Sequence, residues 1–298
     1  MTVAQRRRGK NCLPPIVIDH VVDDPESVRA LARSSGPHLF PDRPGGFVWP
    51  TWHSQWATDG SVHLEPARPL FESSVFLAAA TEMAGTDNVT PRGIYVNLGT
   101  PFVAQPVSHT DMPEFRGVDV SVAPQWFLQS MGASGLFEDA RVEVVTAVSW
   151  FFDGEHGGFR YWPGGRGEPS VHHGSTWNTA VMGDNNFMHH KVEKIGPDDV
   201  RPSPAMTNDA TLDFDGDSWV VEQNGEVLDR YADDLVRLSL SWTGWVDDGS
   251  TGTITIDDVF ETMSTAIGPE FEAGSVDELF SEPTRLQLHK RWPGYLPD

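Results

Sequence analysis

The sequence is poor in cysteine, in positive charge and in long apolar runs. Its single cysteine, Cys12, excludes an intrachain disulfide and a cysteine-rich zinc site, and it fits a reducing compartment. Lysine and arginine number 21 against 43 aspartates and glutamates, a net charge of -22, which disfavours nucleic acid because that partner needs a basic face. No apolar run approaches the roughly 20 residues that cross a bilayer, and the first residues lack the apolar core of a signal peptide. We therefore expect a cytoplasmic protein with no membrane and no nucleic-acid partner.

Aromatic residues are abundant for so acidic a chain, with 11 tryptophans and 16 phenylalanines among 298 residues. Hydrophobic residues make up 39%, enough for a sizeable core, and some aromatic side chains are expected to line a pocket for an organic ligand. We predict that Trp49, Trp52 and Trp56 belong to the core rather than to a substrate cage. The basic start at residues 6–10 is predicted to be a loose terminus.

Short strands fill the middle of the sequence, and helices flank them on both sides. Capping residues and apolar patterns predict helices at residues 24–35, 69–84, 257–267 and 275–280. Strand patterns occur at residues 94–98, 141–152, 177–182 and 190–195, in a hairpin at 218–231, and at 236–245. A run of strands joined by turns is typical of a sandwich or barrel. We predict a mainly β jelly-roll core with flanking helices, in a single domain over residues 1–298.

A metal site is suggested by the segment His109-Thr110-Asp111. Residues two apart on a strand project to the same side, so the imidazole and the carboxylate can face one ion. A second histidine from later in the chain would complete a face of two histidines and one carboxylate. That donor set suits Fe(II) because it leaves positions open for oxygen and a co-substrate.

Three later segments join this motif in a characteristic order. They are the turn and strand start Gly157-Gly158-Phe159, the segment His190-Lys191-Val192-Glu193-Lys194-Ile195, and Arg237-Leu238-Ser239. With these segments, residues 94–245 resemble the Fe(II)- and 2-oxoglutarate-dependent oxygenases. The fold of that family is a double-stranded β-helix, which is a jelly-roll, cupin-like core.

The resemblance implies a role for each of the matching residues. His109, Asp111 and His190 would be the metal ligands and catalytic residues. Arg237 and Ser239 would bind the far carboxylate of 2-oxoglutarate, since the planar guanidinium of arginine matches a carboxylate. Asn97 or Tyr95 would reach the co-substrate from another strand.

The resemblance also implies a reaction. With Fe(II), 2-oxoglutarate and O2, the protein would hydroxylate or otherwise oxidise a small molecule such as an amino acid or a specialised metabolite. Halogenases of the family have a small residue where Asp111 stands, so its carboxylate favours hydroxylation, desaturation, ring formation or epoxidation.

Several alternatives stay open at the level of sequence. His189, or the pair His172 and His173, could supply the third ligand instead of His190. Arg237 could instead form an ion pair with Asp233 or Asp234. A long gap between His190 and Arg237 would put the arginine in doubt if its extra residues replaced a core strand.

Two other functions fit the same fold. One is a cupin-like isomerase or binding module that uses another metal, and the other is a metal-free interaction domain. The substrate and the oligomeric state, a homodimer included, stay open.

Overall fold

A computed structural model describes Val3, Arg7 and residues 11–40, 50–105, 107–174, 176–247 and 249–292. The strands in these ranges are β1 (Ile16–Asp19), β2 (His38–Leu39), β3 (Thr51–Thr58), β4 (Ser61–Val62), β5 (Val89–Gly99), β6 (Val144–Phe151), β7 (Phe159–Trp162), β8 (Val171–His173), β9 (Trp177–Gly183), β10 (His189–Val192), β11 (Thr211–Phe214), β12 (Trp219–Gln223), β13 (Glu226–Tyr231) and β14 (Arg237–Val246). The α-helices are α1 (Pro25–Ser34), α2 (Arg68–Phe71), α3 (Ser74–Ala84), α4 (Gln125–Ser134), α5 (Ile256–Ile267) and α6 (Glu282–Arg291). The chain is therefore mainly β with flanking helices, as predicted, although β1 precedes α1 and α4 lies between β5 and β6.

The chain divides into two compact units. The larger comprises Lys10–Ser108 and Val144–Trp245 and holds the strands with α1 to α3. The smaller comprises Met1–Gly9, His109–Glu143 and Val246–Asp298 and holds α4 to α6. That the whole chain acts as one domain stays a prediction.

Two antiparallel sheets form the larger unit. The large sheet has the order β1-β9-β6-β14-β5-β3-β2-β11-β12-β13, with β4 paired to β3. The small sheet has the order β10-β7-β8, and a bridge between Phe102 and Ile195 continues it beyond β10. Buried side chains of both sheets, among them Trp150, Phe159 and Val181, form one core cluster.

The order in which the chain visits these sheets defines the fold. From β5 in the large sheet the chain passes to Phe102 in the small sheet, then to β6 (large), β7 and β8 (small), β9 (large), β10 (small) and β14 (large). This alternation places β14 between β5 and β6, two strands that precede it by far in the chain. The result is a double-stranded β-helix, which confirms the predicted jelly roll.

The long segment between β10 and β14 does not replace a core strand. Its strands β11, β12 and β13 extend the large sheet beyond β2, at the edge far from β9. The predicted hairpin is present, with Trp219 opposite Tyr231. β14 keeps its central position, so the extra residues leave the predicted arginine strand intact.

The core of the larger unit includes the predicted tryptophans that the structure describes. Trp52 and Trp56 are buried, and their indole nitrogens donate to the Ala210 carbonyl and to Ser35. This confirms a core role for both, whereas Trp49 lies outside the described residues.

The helices of the larger unit follow their capping signals, with one difference. Asp24 caps α1 by accepting from the Ser27 amide, and Pro25 occupies the first turn, as predicted. The single helix expected at 69–84 is instead α2 and α3, because Ser73 breaks the run and caps α3 by accepting from the Phe76 amide.

The smaller unit has its own apolar core, which includes Phe127, Met263 and Leu288. Its helix α5 begins with the capping box of Thr255 and Asp258, whereas the helix expected at 275–280 is only the short 3-10 turn Val276–Glu278.

The prediction of a loose basic start is wrong for Arg7. This residue is buried, and its guanidinium pairs with the Glu143 carboxylate at 2.7 Å. In the described residues we find no helix long and apolar enough to cross a membrane.

Candidate metal and co-substrate site

The structure brings together the three side chains that the sequence suggested for a metal. His109, Asp111 and His190 each offer a ligand atom, and these atoms lie within 4.8 Å of one another. His190 is buried and the other two are half-buried. Two imidazoles and one carboxylate form the open-faced donor set preferred by Fe(II), so the residues present fit that ion.

The surroundings of His190 set the orientation of its ring. His190 lies on β10 opposite Tyr161 of β7 and is 5% exposed. Its Nδ1 lies 3.0 Å from the Met188 carbonyl oxygen, which can only accept, so Nδ1 carries the proton. The lone pair is then on Nε2, the tautomer that a metal-binding histidine requires.

The alternative third ligands lie elsewhere. His189 is next to His190 on the same strand, so its side chain projects to the other face, and burial lowers its pKa to about 4. His172 pairs with Glu193 at 2.5 Å and lines a separate cavity of about 470 Å³. His173 packs against the ring of Trp150. Among the described residues, none of these three histidines belongs to a group of side chains that could hold a metal ion.

Arg237, the first residue of β14, is buried, and no acidic residue in the described part of the chain pairs with it. It is 3% exposed, its Nε donates to the Gly157 carbonyl at 2.7 Å, and its Nη1 donates to Ser239 Oγ at 3.0 Å. Its Nη2 is buried and finds no hydrogen-bond partner among the described residues. The alternative of a surface ion pair with Asp233 or Asp234 is wrong, since Arg237 is buried and the Asp233 carboxylate accepts from Arg29 and Arg33.

The electrostatics of Arg237 favour an anionic ligand. Burial lowers the pKa of Arg237 to about 9, which shows how poorly the protein itself compensates this charge. A guanidinium with one unused N–H beside a serine hydroxyl can bind a carboxylate through charge and hydrogen bonds together.

Gly157 allows the close approach of Arg237. Its φ is +74°, a left-handed conformation that glycine adopts without strain. A Cβ at this position would lie 2.8 Å from the Phe152 ring and 3.1 Å from Cδ of Arg237. The Gly-Gly turn noted in the sequence thus has a physical reason beside the arginine.

Asn97 and Tyr95 lie on β5, which pairs with β14. Asn97 Nδ2 donates to Ser241 Oγ at 3.2 Å, and Ser241 is on the same face of β14 as Ser239 and Arg237. A contact of Asn97 or Tyr95 with the co-substrate stays a prediction.

One residue of this region carried no predicted function. Trp150 of β6 lies opposite Ser239 in the register of the large sheet, and its ring centroid is 5.9 Å from the guanidinium carbon of Arg237. Trp150 falls within the strand predicted at residues 141–152, but a strand pattern does not show which neighbours a side chain meets. Its proximity to Arg237 depends on the pairing of β6 with β14, nearly 90 residues later in the chain.

Comparisons with known proteins give matches in structure only. No family model matches the sequence, and no curated protein matches it. Among solved structures, an oxidoreductase of the 2OG-Fe(II) oxygenase family from Burkholderia pseudomallei is 14% identical, with a TM-score of 0.44, over 84% of this chain and 91% of that one.

Two other solved structures match at a similar level. The carbocyclase SnoK from nogalamycin biosynthesis, described as non-heme and alpha-ketoglutarate-dependent, is 12% identical with a TM-score of 0.46, over 88% of this chain and 92% of that one. A prolyl-4-hydroxylase from Pseudomonas putida is 14% identical with a TM-score of 0.42, over 82% of this chain and 96% of that one. At such identities and TM-scores the activities of these proteins do not transfer to this chain.

Proposed function

We propose that the protein is an Fe(II)- and 2-oxoglutarate-dependent oxygenase that oxidises a C–H bond of a small molecule. The metal group alone does not decide this, because a cupin-like isomerase or binding module would use similar ligands on the same fold. The main support for the proposal is the environment of Arg237. Its guanidinium is buried, has an unused donor and has no acidic partner among the described residues. A dicarboxylate that chelates a metal at one end needs a cation of this kind at its other end.

The residues of the chain then have separate tasks. His109, Asp111 and His190 would hold the metal. The proton of His190 Nδ1 is held by the Met188 carbonyl, which keeps Nε2 available as a ligand. Arg237 and Ser239 bind and orient the far carboxylate, and the buried aromatic side chains around them exclude water.

When bound, Fe(II), 2-oxoglutarate and O2 would together supply the oxidant, and 2-oxoglutarate would leave as succinate and carbon dioxide. Asp111 provides a carboxylate where the halogenases need room for a halide, so we propose hydroxylation or a related oxidation rather than halogenation. The net charge of -22 argues for a small-molecule substrate over nucleic acid.

The experiment that tests this function measures 2-oxoglutarate binding and succinate formation on the same preparation. Wild-type protein loaded with Fe(II) should bind 2-oxoglutarate without oxygen and convert it slowly to succinate when air is admitted. His109→Ala should lose both properties, because only two ligands remain. His172→Ala is the matched control, since that histidine lies outside the metal group, and it should keep both.

The outcome also separates the two functions that share the fold. Wild-type protein that binds a divalent metal through His109 but leaves 2-oxoglutarate unbound would be a cupin-like module, and the oxygenase proposal would fail.

A further inference from the structure

Trp150 differs from the other buried tryptophans in one respect. The indole N–H groups of four of them donate to protein oxygens at 2.8–3.2 Å, namely Trp52, Trp56, Trp219 and Trp242. Trp150 is 0% exposed, and its Nε1 has no hydrogen-bond partner among the described residues. A buried N–H without a partner costs free energy, so native proteins seldom leave one unless a ligand or water completes it.

The position of Trp150 indicates which kind of ligand could accept a hydrogen bond from its N–H group. Directly paired residues of neighbouring strands project to the same face of a sheet, so Trp150 shares its face with Ser239 of β14 and Thr179 of β9. Arg237, two residues before Ser239, lies on that face too, with its guanidinium carbon 5.9 Å from the Trp150 ring centroid. The second unpartnered donor of this region is Nη2 of Arg237.

Neighbouring side chains hold the indole ring in place. His173 stacks on it with ring centroids 4.9 Å apart, and His173 Nε2 lies 3.0 Å from Thr179 Oγ1. Phe159 packs against the ring at 5.4 Å between centroids. The unused N–H therefore points in a direction fixed by packing, as a preorganised donor does.

We propose that Trp150 Nε1 and Arg237 Nη2 donate to the same ligand carboxylate, which makes Trp150 a specificity-determining residue for the co-substrate. This inference rests on the proposed function, in which that carboxylate is the distal one of 2-oxoglutarate. A carboxylate has two oxygens and one negative charge, so it can accept from both donors and also compensate the guanidinium. A single water would satisfy the indole and leave the buried charge uncompensated.

The test compares two ligands on one variant. Trp150→Phe keeps an aromatic ring but removes the N–H donor together with part of the indole volume, and the comparison of two ligands separates these two effects. Protein loaded with Mn(II), which avoids turnover, is titrated with 2-oxoglutarate and with 2-oxovalerate, which lacks the distal carboxylate. We expect Trp150→Phe to weaken 2-oxoglutarate binding about tenfold or more, the usual range for a hydrogen bond to a charged group, and to change 2-oxovalerate binding less than about threefold.

Trp242→Phe is the matched control. Trp242 is equally buried, but it lies on the other face of β14, and its N–H donates to the Phe71 carbonyl. This variant should bind both ligands as the wild type does. It should also unfold at a lower temperature than Trp150→Phe in the absence of ligand, because only Trp242 loses a hydrogen bond already made in the protein.

Two results would overturn the inference while leaving the oxygenase proposal intact. One is unchanged 2-oxoglutarate affinity in Trp150→Phe, and the other is equal weakening of both ligands, which would mean that the ring only shapes the pocket. If wild-type protein loaded with Mn(II) fails to bind 2-oxoglutarate at all, the proposed function itself falls, and this inference with it.

Discussion

Replacing Arg237 by methionine should make the ligand-free protein more stable and abolish its affinity for 2-oxoglutarate. Methionine fills most of the space of the arginine stem and carries no charge. The substitution therefore removes a buried cation that has no acidic partner among the described residues. In proteins whose buried ion pairs were replaced by apolar residues of similar size, stability was often unchanged or increased.

The magnitude follows from the environment of Arg237. The fall of its pKa from 12.5 to about 9 corresponds to about 5 kcal/mol of unfavourable burial at neutral pH, at about 1.4 kcal/mol for each pKa unit. Removing the charge recovers that cost. The same change loses the hydrogen bonds to Gly157 and Ser239, and it leaves the Gly157 carbonyl unsatisfied, together about 3–4 kcal/mol. The difference is a gain of about 1–2 kcal/mol, or about 2–3 °C in Tm for a chain of this length.

The assay is thermal unfolding of metal-loaded protein with and without 2-oxoglutarate. Ligand should raise the Tm of the wild type and leave that of Arg237→Met unchanged, because only a state that binds the ligand is stabilised. The reasoning would be refuted if Arg237→Met unfolded several degrees below the ligand-free wild type. That result would show that the guanidinium is already well compensated inside the protein.

Three further predictions concern other parts of the larger unit. Gly157→Ala should lower the free energy of unfolding by about 1–3 kcal/mol and weaken 2-oxoglutarate binding several-fold. The reason is that φ of residue 157 is +74° and that an added Cβ would press on Phe152 and Arg237. Equal affinities of variant and wild type for 2-oxoglutarate, measured by calorimetry, would contradict this. Asp233→Asn should lower the free energy of unfolding in urea by about 1–3 kcal/mol at pH 7. Burial raises the pKa of the Asp233 carboxyl, but hydrogen bonds from two arginines outweigh burial and lower this pKa to about 2. The stability difference between variant and wild type should therefore shrink as the pH falls toward that value, and a difference independent of pH would contradict the account. Burial lowers the pKa of His38, so the unfolded chain binds a proton more readily than the folded protein does. The free energy of unfolding should therefore fall as the pH drops below about 6.5. His38→Gln should weaken this pH dependence in urea titrations between pH 7.5 and 5, and an unchanged dependence on pH would exclude His38 as its source.

Local patterns predicted the elements whose causes are local. The helix at Asp24 and Pro25 and the capping box at Thr255 depend on side chains within a few residues, and both appear as expected. The expectation for residues 275–280 failed although Ser275 has the right spacing to Glu278, because Ser275 makes no capping hydrogen bond there and the helix of this region begins after Ser281.

Part of the candidate site could be predicted from the sequence for the same reason. The spacing of His109 and Asp111 is local, and the order of the later segments suggested His190 and Arg237. The choice between His190 and His189 depended on which face of β10 meets the other metal-binding side chains, which no local pattern decides. Trp150 could not be assigned at all, because its meaning depends on strand pairing across the large sheet and on an N–H that lacks a partner.

The central claim is that one dicarboxylate joins the metal group to Arg237. The most direct test measures the affinity for 2-oxoglutarate by calorimetry with and without saturating Mn(II), and the affinity for Mn(II) with and without 2-oxoglutarate. The account predicts 1:1 binding that is at least tenfold tighter when the other ligand is present, with the same factor in both directions, as thermodynamic linkage requires. Affinities for 2-oxoglutarate that are equal with and without Mn(II), or no binding under either condition, would contradict it.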